Sequence, residues 1–90
     1  MGRIERKIFR INDEIARLRE AIRLTEEELR ILEHLDDDAQ RDASVGGPIE
    51  REDARITGSD VARFESVVAA LHIRIGRLQE KRAELLAKLG

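Results

Sequence analysis

Cysteine, tryptophan and tyrosine are absent from this 90-residue chain, and it has only two aromatic residues, Phe9 and Phe64, with a single proline. Without cysteine there is no disulfide framework, no thiolate metal centre and no cysteine nucleophile, so a small fold must be stabilised by packing or association. Two rings exclude a core built on aromatic area, which a conventional domain of this length draws on heavily. No apolar run approaches the roughly 18 residues that cross a bilayer, and Met1 to Arg10 lacks the apolar stretch of a secretory signal. The expectation is a cytoplasmic protein without membrane contact. Charge of one sign is missing too: 17 Lys and Arg are interleaved with 19 Asp and Glu, for a net charge of −2. No global field draws such a chain to nucleic acid, and direct nucleic-acid binding is not expected.

What is present is 41% hydrophobic and 40% charged, dominated by Arg, Glu, Ala, Leu and Ile, a composition of long helices. From Ile4 the apolar residues advance by alternating steps of four and three: Ile8, Ile15, Ile22 and Leu29 fall at heptad position a, and Ile4, Ile11, Leu18, Thr25 and Leu32 at d. A second seam places Val61, Val68, Ile75, Arg82 and Leu89 at a, and Phe64, Leu71, Leu78 and Leu85 at d. Between them, Ser44-Val45-Gly46-Gly47-Pro48 forces a turn, because paired glycines admit positive φ and proline cannot continue a helix. Thr57-Gly58-Ser59-Asp60 offers Thr57 or Ser59 as an N-cap, with Asp60 in the first turn. The predicted organisation is one helical hairpin domain over 1–90, with helix 1 at about 3–43, a turn and tip at about 44–58, and helix 2 at about 59–89.

An antiparallel register in which facing residue numbers sum to 93 pairs Ile8 with Leu85, Ile15 with Leu78, Leu18 with Ile75, Ile22 with Leu71 and Leu29 with Phe64. Every a residue then faces a d residue, and the midpoint falls between Gly46 and Gly47, where local chemistry independently places the turn. The same register brings Asp42 near Arg51 and sets Arg82 opposite Ile11, its aliphatic stem in the seam and its head reaching solvent.

A lone two-helix hairpin buries little, and further apolar residues lie outside the seam. Ala62, Ala69, Ile73, Gly76 and Ala83 occupy b and f positions of helix 2, and helix 1 adds Leu24, Ile31 and Leu35. Small residues at this spacing allow close helix approach, and Gly76 within a helix is costly unless packing requires it. The fold class expected is therefore all-α, an antiparallel two-helix coiled-coil hairpin assembling as a dimeric four-helix bundle.

Residues 33–60 hold nine acids against three bases, a local charge of −6 that leaves +4 for the remainder. Asp36, Asp37, Asp38, Glu50, Glu52 and Asp53 form the candidate surface for a protein partner. A hairpin with an acidic tip resembles in shape the coiled-coil arm of the Gre-type transcript cleavage factors, which direct tip carboxylates through the secondary channel of RNA polymerase to a catalytic Mg²⁺. That resemblance implies a regulator of a nucleic-acid enzyme. The family's tip pattern, an Asp followed three residues later by a Glu, has no counterpart here; the nearest match is the inverted Glu50-Arg51-Glu52-Asp53, and no docking domain is read in the chain.

Catalytic chemistry finds little support. His34 with Asp37 or Asp38 is a weak ligand set for zinc, His72 flanks the seam, and no phosphate loop or nucleophile elbow occurs. Ile49-Glu50-Arg51-Glu52 is superficially similar to an Arg-Glu segment of the small helical chorismate mutases, which would imply a compact helical enzyme. Such an enzyme needs several basic side chains inside its bundle, and this seam offers only Arg82. The functional expectation is a non-enzymatic interaction or adaptor protein without cofactor, forming a homodimer and presenting an acidic tip.

Overall fold

The computed structural model describes residues 2–90 and is all-helical over that range, with α1 (Arg3–Val45) and α2 (Pro48–Leu89) joined by Gly46-Gly47. No helix of the described residues is long and apolar enough to cross a membrane. Both helices start by the same device. The Gly2 N–H donates to Glu5 Oε2 at 2.6 Å and the Gly47 N–H to Glu50 Oε2 at 2.8 Å, while the carbonyls of Gly2 and Gly47 accept the first helical bonds from Arg6 and Arg51. Each glycine is thus the N-cap and each glutamate closes half of a capping box three residues on. Gly-x-Ile-Glu-Arg stands at both starts, 2–6 and 47–51.

The turn is much shorter than the 44–58 expected from the sequence, and α2 begins at Pro48 rather than near residue 59. Pro48 sits at the first helical position, where its missing N–H is not needed and its fixed φ favours the helix. Thr57 does not cap: its hydroxyl donates to Asp36 Oδ1 at 2.8 Å and lies 3.3 Å from the Ala54 carbonyl. Asp60 lies well inside α2 and pairs with Arg63 at 2.9 Å. Nor does the turn use left-handed glycine, since no described residue has positive φ. Gly46 is required for space instead: a Cβ there would stand 2.6 Å from Glu50 Cγ and 2.8 Å from the Asp42 carbonyl oxygen. Arg51 donates to the Gly46 carbonyl at 3.4 Å, and no ion pair joins it to Asp42.

Two compact units are present, each pairing a segment of α1 with one of α2. The terminal unit joins the stretch up to Arg23 with Ala69–Gly90. Its buried side chains are Ile8, Ile15, Leu18, Ile22, Ile75 and Leu85, all at a or d, and Ile15 is only 2% exposed. Ile8 with Leu85 and Leu18 with Ile75 are facing pairs of the 93 register. The half-buried Arg82 donates from Nη1 to Asn12 Oδ1 at 2.8 Å, so its head group is held by α1 while its stem fills the seam.

The turn unit, Leu24–Val68, carries the same register to the glycines. A sum of 93 pairs Ala39 with Ala54, which is 5% exposed, and Asp36 with Thr57, whose hydrogen bond crosses the seam. Gln40 Nε2 donates to Asp36 Oδ1 at 3.0 Å and to the Ala54 carbonyl at 3.1 Å. The apolar period fades after Leu35 because alanines and one polar layer replace Ile and Leu, while the helix itself continues.

Candidate interaction surfaces

Most acids proposed for the partner surface are engaged within the chain. Asp36 belongs to the polar layer, Asp38 pairs with Arg41, Glu50 caps α2, and Glu52 receives Arg55 Nε at 3.0 Å. Hydrogen bonds from Gln40 and then Thr57 hold the Asp36 carboxyl below the usual carboxylate range, against the opposing effect of desolvation. Glu52 is lowered by its bond to Arg55, as Glu20 is by Arg23. Asp37 and Asp53 are exposed and make no hydrogen bond or ion pair among the described residues, so they are the tip acids left to meet another molecule.

In an antiparallel pair, g positions of the two helices lie side by side on one flank and e positions on the other. The structure follows this rule: Arg74 Nη2 donates to Glu14 Oε1 at 3.0 Å, a g–g contact, and a Cβ at Gly58 would lie 3.8 Å from Gln40 Nε2, an e–e approach. One flank is thus formed by g and c residues, the other by e and b.

The residues proposed for self-association divide between these flanks. Leu24, Ile31 and Leu35, exposed by 49%, 60% and 52%, lie on the g/c flank of the turn unit, where α2 adds Ile56 at 45% and Val67 at 44%. Ala62, Ala69, Gly76 and Ala83 occupy b positions on the other flank, and Ile73, 57% exposed, is at f. Nothing lies within 4 Å of a Cβ built at Gly76, so no contact within the chain requires that glycine. Ile56 and Val67 escaped the sequence reading for identifiable reasons. Ile56 fell in the segment assigned to the turn, and Val67 stands beside the seam residue Val68; continuing the heptads through Pro48 would have placed both at c and g.

Charge is sorted more sharply by unit than along the sequence. The terminal unit holds twelve Lys and Arg against six Asp and Glu, a net of +6, and the turn unit five against 13, a net of −8. On the g/c flank of the terminal unit stand Arg3, Lys7, Arg10 and Arg17 from α1 with Arg74, Arg77, Lys81 and Lys88 from α2, all exposed, against Glu14 and Glu84. Glu14 is shared by Arg74 and Arg17. Lys7, Arg10 and Lys81 surround a shallow hollow of about 280 Å³ whose apolar lining is Ile11 and Leu85. On the g/c flank of the turn unit the five aliphatic residues, with Val45 and Ile49 at the c positions nearest the turn, are accompanied by Glu28, Asp38, Asp42, Asp53 and Asp60 against Arg63, which pairs with Asp60.

His34 has no companion set: no group of three or more His, Cys, Asp or Glu among the described residues could hold a metal ion. Comparison of the chain with protein-family models, curated proteins and solved structures finds no match.

Proposed function

We propose that this protein is a non-enzymatic coiled-coil interaction protein of the cytoplasm, which self-associates as a dimer of hairpins in a four-helix bundle and presents acidic residues of its turn unit to a protein partner. The observation that carries the reading is the cluster of Leu24, Ile31, Leu35, Ile56 and Val67, all at least 44% exposed on one flank of a unit whose own seam is narrow and rich in alanine. Aliphatic residues grouped in this way are the usual mark of an interface, whereas singly scattered ones are ordinary. Sedimentation of the purified protein tests self-association: a dimer is expected at tens of micromolar, and a strict monomer refutes it.

The acidic half of the reading rests on Asp37 and Asp53. Four of the six candidate acids are occupied within the chain, which favours a docking contact over chelation of a catalytic cation by the tip and weakens a Gre-like role. Asp37→Asn combined with Asp53→Asn should remove the partner captured by the wild type from native cell extract while leaving helicity unchanged. An unchanged set of captured proteins overturns this half.

A further inference from the structure

We infer that the second copy docks in the reverse sense, the basic g/c flank of the terminal unit of one chain lying on the apolar, acid-rimmed g/c flank of the turn unit of the other. This rests on the self-association reading and adds to it the surface and the direction of pairing. The two flanks are complementary in both respects that matter. One offers exposed Arg and Lys whose alkyl stems can cover aliphatic side chains while their charged heads reach the rim. The other offers seven exposed aliphatic residues, the five above with Val45 and Ile49, rimmed mainly by carboxylates. The hollow walled by Lys7, Arg10 and Lys81 over Ile11 and Leu85 gives the basic flank a concave apolar place to receive such a side chain.

Pairing like units would set +6 against +6 and −8 against −8, whereas reversed pairing sets +6 against −8 twice. Opposed charge across an interface favours the correct partner and orientation, and like charge excludes the alternative. Each chain carries one flank of each kind, so in a pair of chains every basic flank has an acid-rimmed flank to meet. The alanines and Gly76 at the b positions take no part.

The test is charge reversal with complementation. One variant carries Lys7→Glu, Arg10→Glu and Lys81→Glu; a second carries Glu28→Lys, Asp53→Lys and Asp60→Lys. Each alone removes most of the opposed charge at both contacts, +6 falling to 0 in the first and −8 to −2 in the second, so its dimer should weaken by at least about tenfold with helicity retained. An equimolar mixture should recover the wild-type association, since each reversed flank then meets its opposite. Wild-type dimers should also weaken between 0.05 and 0.5 M NaCl, as attraction between exposed charges is screened. Dimers that strengthen with salt, or single variants that associate as the wild type does, overturn the reversed pairing and leave self-association standing. A wild-type monomer at tens of micromolar in 0.05 M NaCl overturns self-association itself. If that monomer binds a 20-base-pair duplex and the first variant does not, the basic flank serves nucleic acid and the inference is wrong.

Discussion

Gly46 and Gly76 are both glycines adjoining or within helix, yet opposite outcomes are expected when each becomes alanine. At Gly46 the new methyl would meet Glu50 Cγ and the Asp42 carbonyl oxygen at under 3 Å, so Gly46→Ala must displace the start of α2 and lower the melting temperature. At Gly76 the space is open and the helix gains a better former, so Gly76→Ala should raise stability by about 1 kcal/mol in urea titration. Its effect on sedimentation is equally informative: at a b position it should leave the dimer intact, whereas association through the Ala/Gly stripe would weaken. Asp36 makes a prediction in pH. Its folded carboxyl titrates below its unfolded one, so its contribution is present at neutral pH and is lost as pH falls from about 4 through the lower folded value. Acid titration of thermal stability should therefore be shallower below pH 4 in Asp36→Asn than in the wild type.

At the scale of the element, the two helix starts and the seam separate what local chemistry controls from what packing controls. Glu50→Ala removes the acceptor for the Gly47 N–H and should cost about 1 kcal/mol, with fraying of the first turn of α2 visible by amide exchange. Ile15→Ala, at the most deeply buried side chain, should cost about 2–5 kcal/mol in urea titration, since it leaves a cavity as well as losing transfer energy. Local signals at Thr57-Gly58-Ser59 read as a helix start because Thr and Ser compete for backbone partners. The hairpin overrides them: the Thr57 hydroxyl finds Asp36 across the seam, and Gln40 reaches the Ala54 carbonyl. A helix boundary drawn from capping residues alone therefore falls about 11 residues late.

For the whole molecule, the decisive property is the distribution of charge over two units rather than the net −2. Helical geometry gathers bases that are separated by three and four residues in sequence, and joins those of α1 to those of α2. Ile31→Glu on the apolar flank should weaken the dimer at least tenfold by sedimentation while leaving monomer stability within about 0.5 kcal/mol, because Ile31 is 60% exposed and outside the seam.

Helix content, heptad phase, antiparallel register and the place of chain reversal were all legible from the amino-acid order. Each follows from a repeating period or a local steric rule, and the facing pairs Ile8 with Leu85 and Leu18 with Ile75 needed nothing more. That α2 runs through Thr57-Gly58-Ser59 instead of starting there was decided in three dimensions, because the Thr57 hydroxyl meets Asp36 only when both helices are present, whereas the cap at Gly47-Pro48-Ile49-Glu50 is local. The same holds for the outer surface. Leu24, Ile31 and Leu35 share a flank of the turn unit with Ile56 and Val67, rather than with Ala62, only once e lies beside e and g beside g. A period along one chain specifies which residues line its own seam; which residues from different helices become neighbours outside it depends on the partner helix and its direction.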